Sequence, residues 1–187
     1  MNLVIFGPPG AGKGTQSKFI VSKYSLFQLS TGELLRNEIN KKSELGKKIS
    51  SIMNSGKLVS DEIVSNLIEK YVSNKIFKNK LIFDGYPRNL SQAKNLDILV
   101  KKYNQKINLV LRLSVSLETI KKRISERLTQ EKRADDNEDI LIKRYETYEQ
   151  STRPVIDYYQ QSNLLKVVNG EAGISEINKE ISGLIDT

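Results

Sequence analysis

The sequence predicts an α/β domain built on a doubly wound, five-stranded parallel sheet. Three observations predict it. Short runs of branched aliphatic residues recur along the chain, helical patterns with apolar residues three and four positions apart separate these runs, and a glycine-rich turn joins the first run to the first helical pattern. Strands that alternate with amphipathic helices form βαβ units, whose sheets are parallel and covered by helices on both faces.

The predicted strands follow the aliphatic runs. They cover residues 3–6, 81–83, 107–113 and 164–168, with a weaker run at 26–29. The helical patterns cover residues 14–24, 90–102, 117–128 and 137–159. Pro154 lies inside the last of these patterns, so we expect that helix to kink or to restart there.

The stretch between the second and third strands is too long for one crossover helix. Residues 31–72 have the pattern of three helices, broken at residues 40–43 and at residues 55–56. We therefore expect residues 30–59 to form a small helical insertion that can move against the sheet.

Composition bounds the chemistry. The 187 residues fit one domain, and 38% hydrophobic with 28% charged residues is typical of a soluble globular chain. Because no apolar run reaches the roughly 18 residues of a membrane span, and the first residues lack a signal-peptide pattern, we expect a cytoplasmic protein. The chain has neither Cys nor His, which excludes thiolate nucleophiles, imidazole bases and zinc held by those residues. The net charge of +8 suits a polyanionic partner, or only a lysine-rich solvated surface.

The glycine-rich turn, GPPGAGKGT at residues 7–15, favours phosphate binding. Its spacing Gly7-x4-Gly12-Lys13 is that of the P-loop, although Gly14 stands where the general pattern has Ser or Thr. Glycines let backbone amides turn toward phosphate oxygens, the helix N-terminus adds a partial positive charge, and Lys13 adds a full one. A plain strand-to-helix turn is the alternative, but the strand–loop–helix context favours phosphate binding.

A second motif, DGYPRNLSQ at residues 84–92, directly follows the predicted strand at residues 81–83. Asp84 is expected at the carboxyl edge of the sheet, where a carboxylate can hold water on a Mg²⁺ ion that bridges phosphates. Arg88 offers a planar fork to a phosphate. A turn capped by Asn89 and Gln92 is the alternative, and it accounts for Asn89 better than for Asp84 and Arg88 together.

Further cations are candidates for the same chemistry. Arg36 lies one turn into a helix that Ser30 and Glu33 are spaced to cap. Four of the arginines that follow the fourth strand are further candidates: Arg123, Arg127, Arg133 and Arg144. For any one of them, a solvated surface position is as good an interpretation as phosphate binding. The P-loop favours phosphate binding for several of them, because phosphoryl transfer spreads negative charge over oxygens that need cations.

Together these motifs resemble the adenylate kinases, within the nucleoside monophosphate kinases, over essentially the whole chain. The similar segments are residues 7–16 (P-loop), 84–88 with Gln92 (signature), 30–33 with Arg36 and 56–59 (AMP-binding segment), and 133–137 with Arg144 (lid exit). The resemblance implies a P-loop NTPase fold and reversible, Mg²⁺-dependent transfer of a phosphoryl group from ATP to AMP, giving two ADP. It also implies a monomer without nucleic-acid or membrane partners.

The resemblance also implies roles for single residues. The implied ATP-binding residues are Gly10, Ala11, Gly12, Lys13, Gly14, Thr15, Arg123, Arg127 and Ala172. The implied AMP-binding residues are Thr31, Arg36, Lys57, Leu58, Val59, Gly85, Tyr86, Pro87, Arg88, Gln92, Arg133 and Arg144. The implied catalytic residues are Lys13, Arg88, Arg127, Arg133 and Arg144, with Asp84 holding Mg²⁺ through water.

The resemblance divides the single domain, residues 1–187, into a core (1–29, 60–125 and 137–187), an AMP-binding insertion (30–59) and a short lid (126–136). The structural zinc of some long-lid members is not expected, because the chain has no Cys or His. The nearest alternative is a UMP/CMP kinase, which usually has alanine at the position of Thr31 and asparagine at that of Gln92. A basic RNA-binding module switched by ATP is the alternative from another class.

Overall fold

The strands form one parallel sheet in the order β2-β3-β1-β4-β5. A computed structural model describes residues 1–130 and 138–187, and for residues 127–130 and 138–139 it describes the backbone alone. The strands are β1 (Leu3–Phe6), β2 (Phe27–Ser30), β3 (Leu81–Asp84), β4 (Leu109–Ser114) and β5 (Leu165–Asn169). The predicted fold class and the five predicted strands are thereby confirmed.

Helices cover both faces of the sheet. They are α1 (Lys13–Tyr24), α2 (Thr31–Asn40), α3 (Glu44–Asn54), α4 (Asp61–Val72), α5 (Leu90–Lys102), α6 (Leu117–Gln130), α7 (Glu138–Thr147), α8 (Arg153–Gln161) and α9 (Ile174–Ile185). A short 3₁₀ helix, Lys75–Phe77, precedes β3. Within the described residues, no helix is both long and apolar enough to cross a membrane.

The central strand β1 is buried on both faces, which divides the core into two layers. Val4 and Phe6 pack with the helices α2 to α5 and α8. Leu3 and Ile5 pack on the other face with α1 and α9. Successive side chains of a strand point to opposite faces, so a strand between two helical layers has to be apolar at every position.

The sheet order places the functional loops. The chain leaves β1 toward the edge strand β2, and it leaves β3 toward β4 on the other side of β1. The loops that follow these two neighbouring strands therefore run in opposite directions and leave a crevice at the carboxyl ends of the strands. Open α/β sheets bind their ligands in such a crevice.

Residues 31–72 fold into the three predicted helices. Ser30 Oγ accepts a hydrogen bond from the Glu33 amide at 3.4 Å, and Ser43 Oγ accepts one from the Gly46 amide at 3.0 Å, so each of the first two helices begins at a capping serine. A Cβ on Gly46 would lie 2.5 Å from the Glu38 carbonyl oxygen. The glycine is therefore what lets α3 pack closely on α2.

The helix that contains Pro154 restarts, as predicted. A π-helix, Tyr148–Thr152, joins α7 to α8, and Pro154 lies in the first turn of α8. Proline has no amide hydrogen and its ring crowds the carbonyl four residues earlier, so the regular α-helical hydrogen bonding cannot continue through it. The wider turn keeps the segment continuous along the sheet.

Candidate functional site: a phosphate loop beside a second pocket

The glycine-rich loop turns sharply between β1 and α1. Gly10 and Gly12 have φ angles of +81° and +92°, which residues with a side chain rarely adopt. A Cβ on Gly10 would lie 3.1 Å from Ile124 Cδ1, so the loop packs closely on α6. No side chain caps the N-terminus of α1, and no acidic residue lies in its first turn. The first amides of α1 are thus left for an anion, as in other helix-terminus phosphate sites.

Lys13 places its charge over this loop. Its Nζ donates to the carbonyl oxygens of Gly7 at 2.7 Å and Pro8 at 3.0 Å. It lines a cleft together with Arg88 and Arg144. Three cations from separate elements therefore meet at the carboxyl edge of the sheet.

A second pocket adjoins that cleft under α2 and α3. Most of the residues that the sequence predicts to hold AMP line it: Thr31, Arg36, Lys57, Leu58, Val59, Gly85, Arg88, Gln92 and Arg144. Pro87 lines the neighbouring cleft. The Tyr86 side chain lies elsewhere, since it is buried in the core and its hydroxyl accepts a hydrogen bond from Asn95 Nδ2 at 3.3 Å.

Gly85 is the point where the two cavities meet. Its carbonyl oxygen accepts from Thr31 Oγ1 at 2.7 Å and from Arg88 Nε at 2.8 Å. Its φ is +76°, and a Cβ there would lie 2.8 Å from Thr31 Oγ1 and 2.9 Å from Arg88 Nη2. Only glycine lets both side chains approach the backbone this closely.

The Gln92 side chain is held at both ends of its amide. Its Oε1 accepts from the Arg88 backbone amide at 2.8 Å, and its Nε2 donates to Asp61 Oδ1 at 2.8 Å. Asn89 Nδ2 donates to the same Asp61 oxygen at 2.9 Å, while Asn89 Oδ1 caps α5 by accepting from the Gln92 amide at 2.8 Å. The predicted cap is present, and Asp61 fixes the orientation of the Gln92 amide in the pocket.

The segment from α7 to α8 lines the cleft as well. Arg144 lines both cavities. Thr152 Oγ1 donates to the Arg88 carbonyl oxygen at 2.8 Å. The Tyr148 side chain is buried beside the cleft, and burial raises the pKa of Tyr148 while the positive charge of Arg112 acts to lower it.

Sequence reasoning missed Asp61, Arg112 and Thr152. Asp61 reads as an ordinary acidic residue in the first turn of a helix, and Thr152 as a polar residue near a proline. Arg112 carried a usable signal, because a charged residue is uncommon inside an apolar run such as that of β4, where Arg112 lies half-buried between buried neighbours.

Arg123 joins the phosphate loop to the loop after β5. Its Nη1 donates to the Ala11 carbonyl oxygen at 3.3 Å and its Nη2 to the Gly170 carbonyl oxygen at 2.8 Å. Ala172 lies half-buried in that second loop. The role in ATP binding that the resemblance implies for Arg123 and Ala172 stays a prediction.

Two predicted catalytic arginines lie at the edge of what the structure describes. Arg127 belongs to α6, and its backbone alone is described. Arg133 lies outside the described residues, as does most of the predicted lid.

Asp84 is the candidate metal contact. Its carboxylate is 8% exposed at the end of β3, and its Oδ2 accepts from Gln28 Nε2 at 2.9 Å. Among the described residues, no group of three or more acidic side chains could hold a metal ion. A single carboxylate fits Mg²⁺ that keeps several waters and takes its other ligands from substrate phosphates.

A parallel sheet, a glycine-rich loop with its lysine after β1, and an adjoining pocket lined by arginines define a P-loop nucleotide-binding enzyme. Comparison with known proteins shows the family to which this chain belongs. A family model described as adenylate kinase matches residues 5–164.

Curated relatives agree with that match. Adenylate kinase of Pelagibacter ubique (strain HTCC1062) is 41% identical over an alignment of 211 positions, gaps included, that covers 99% of each chain. Adenylate kinase of Caulobacter sp. (strain K31) is 41% identical over 100% of this chain and 96% of its own. Adenylate kinase of Archaeoglobus fulgidus is 37% identical over 100% of this chain and 98% of its own. The chain belongs to the adenylate kinase family and is a nucleoside monophosphate kinase.

Proposed function

We propose that this chain transfers the γ-phosphoryl group of ATP reversibly to AMP, giving two ADP, with the ATP phosphates on the P-loop and AMP in the pocket under α2 and α3. One observation carries the assignment of the two sites. Gly85, Arg88 and Arg144 line both cavities, so an acceptor phosphate in one would meet a donor phosphate in the other at these residues.

The reaction needs no general base, because the AMP phosphate is already an anionic nucleophile. One of its oxygens forms a bond to the γ-phosphorus, and the bond from that phosphorus to the β,γ-bridging oxygen breaks, leaving ADP with the electron pair. Lys13, Arg88 and Arg144 would stabilise the charge that spreads over the transferring oxygens. Arg127 and Arg133 are proposed to add to this set when the lid, residues 126–136, closes and excludes water.

Magnesium bound with ATP would neutralise phosphate charge, and Asp84 is the residue proposed to hold it through water. Asp84 suits this role because its carboxylate is fixed by Gln28 at the end of β3. The donor set is consistent with a hydrated ion rather than one enclosed by protein.

Thr31 and Gln92 support adenine as the acceptor base. With Asp61 and the Arg88 amide each using one bond, the Gln92 amide keeps one donor hydrogen and one acceptor lone pair. These match the donor N6 and the acceptor N1 on the pairing edge of adenine. Cytosine offers the same order of donor and acceptor, so CMP is the sharpest competitor.

The test is a coupled kinase assay with ATP, Mg²⁺ and one acceptor at a time: AMP, CMP, UMP or GMP. We expect efficient ADP formation only when AMP is the acceptor. Preference for CMP or UMP would instead assign the chain to pyrimidine nucleotide phosphorylation. Two adenosines joined by five phosphates should bind far more tightly than either nucleotide, since this molecule would span both sites.

The domain bounds given above, the monomeric state and the cytoplasmic location are proposed along with this function. Tyr148 and Tyr159 do not favour the RNA-binding alternative, because both side chains are buried in the core rather than exposed for stacking on bases.

A further inference from the structure

The loop after α3 touches α7 backbone to backbone. Gly56, with φ +73°, lies so close that a Cβ on it would be 3.0 Å from Lys143 Cβ and 3.5 Å from the Ile140 carbonyl oxygen. At the end of this contact, Thr147 Oγ1 lies 3.2 Å from the Gly56 carbonyl oxygen and 2.8 Å from that of Lys143. The contact thus joins residues 91 positions apart in the chain.

The Thr147 hydroxyl has one hydrogen for these two acceptors. A helical threonine commonly donates to the carbonyl four residues earlier, which here is that of Lys143. If Gly56 moves away, the hydroxyl keeps that local partner, and the exposed Gly56 carbonyl gains water. Both groups therefore stay hydrogen-bonded when the loop leaves, and the bond to Gly56 favours the docked position only by the small net free energy of one exchanged hydrogen bond.

The position of this contact gives it a consequence for the site. Gly56 leads directly into residues 57–59, which line the AMP pocket, and Arg144 follows Lys143 and lines both cavities. The contact therefore sets the spacing between the backbone proposed to face the AMP base and the arginine proposed to meet its phosphate.

We propose that Thr147 is a positioning residue for AMP, which holds residues 56–59 against α7 at the level of Arg144. The proposal rests on the proposed function, because it needs the pocket under α2 and α3 to be the AMP site. Thr147 acts through the Gly56 backbone and takes no part in the transfer itself.

The test is Thr147→Val, which removes the hydroxyl and keeps the shape of the side chain. We expect the KM for AMP to rise by about threefold to tenfold, the range expected from one neutral hydrogen bond. Thr147 also lines the cleft beside Lys13, but its hydroxyl is directed to the Gly56 and Lys143 carbonyl oxygens, so the KM for ATP and kcat should stay within about twofold. Thr147→Ser retains the hydroxyl and should restore the KM for AMP.

Ser55→Ala is the matched control. It removes a hydroxyl next to Gly56 whose bond, to the Ile52 carbonyl oxygen at 2.7 Å, stays within α3, so the KM for AMP should not change. Calorimetric titration of AMP should show the same weakening in Thr147→Val and not in Ser55→Ala.

The two proposals fail in different ways. If the wild-type chain forms no ADP from ATP and AMP, the proposed function is wrong, and the positioning role with it. If the wild-type chain is active while Thr147→Val keeps its KM for AMP, or raises both KM values alike, only the role of Thr147 is wrong. A fall in the melting temperature shared by Thr147→Val and Thr147→Ser, with no change in AMP binding, also contradicts it.

Discussion

The phosphate loop and the pocket proposed to bind AMP, called the AMP pocket below, are built in opposite ways. The loop is one contiguous segment, residues 7–15, and its internal hydrogen bonds join residues a few positions apart. The pocket joins residues that the chain separates widely, for example by 31 positions between Asp61 and Gln92 and by 54 between Thr31 and Gly85. Local sequence sets the shape of the loop, whereas the shape of the pocket depends on where whole helices lie. The pocket is therefore the part of the site that substitution can adjust gradually.

The largest effects on activity are expected for the cation of each region, which is Lys13 in the phosphate loop and Arg88 in the pocket. Lys13→Ala and Arg88→Ala should each lower kcat by at least about a hundredfold, because each removes a charge that we propose stabilises the transferring phosphoryl group. The melting temperature should change little in both variants. Only Arg88→Ala should also raise the KM for AMP, and this difference separates the loop from the pocket.

Steady-state kinetics with each nucleotide varied in turn measure these effects, and Lys18→Ala is the control, since Lys18 is exposed on α1. Near-normal turnover in either purified variant would remove that residue from the mechanism. An equal rise of both KM values in Arg88→Ala would show that the two regions do not work separately.

The junction of the two regions comes next. Gly85→Ala adds a Cβ that would lie 2.8 Å from Thr31 Oγ1 and 2.9 Å from Arg88 Nη2, at a φ of +76°. We expect the KM for AMP to rise by about tenfold or more and the free energy of unfolding to fall by about 1–3 kcal/mol. Nucleotide kinetics and chemical denaturation measure the two effects.

Gly183→Ala is the control for that substitution, because nothing lies within 4 Å of a Cβ at this helical position. It should leave the kinetics unchanged and stabilise α9 slightly. If Gly85→Ala loses stability but binds AMP normally, Gly85 supports the fold and does not shape the pocket.

The same contrast explains how much of the molecule the sequence could predict. The P-loop and the strand ends at Phe6 and Asp84 follow from local patterns, because periodicity and glycine spacing act over a few residues. The role of Asp61 could not be predicted, since its partners Asn89 and Gln92 reach it only when α4 lies beside α5. Long-range pairs of this kind leave no spacing rule in a single sequence.

Asp61 allows a more delicate test of the pocket. Asp61→Ala removes the oxygen that holds both Gln92 and Asn89, so the Gln92 amide can rotate, and the KM for AMP should rise by about threefold to tenfold. Asp61→Asn retains an acceptor oxygen of the same shape and should stay within about twofold of the wild type. The four-acceptor kinase assay measures both variants. UMP and GMP present their donor and acceptor in the reverse order to AMP, so a fixed Gln92 amide should reject them. If Asp61→Ala keeps full discrimination of AMP against UMP and GMP, the orientation of Gln92 does not determine the choice of base.

The smallest effect on catalysis is expected at Thr152, which contacts the backbone of Arg88 and not its side chain. Thr152 is 5% exposed, and its hydroxyl donates to the Arg88 carbonyl oxygen at 2.8 Å. Thr152→Val leaves that carbonyl without this donor, so we expect the free energy of unfolding to fall by about 1–2 kcal/mol while the KM for AMP changes by at most about threefold. Stability should change more than AMP binding because two other hydrogen bonds also hold Arg88. Its Nε donates to the Gly85 carbonyl oxygen, and its backbone amide donates to Gln92 Oε1.

Urea denaturation with parallel kinetics tests this prediction, and Thr152→Ser should recover most of the lost stability. A large rise in the KM for AMP with unchanged stability would mean that this part of the pocket is as adjustable as the side facing Gly56.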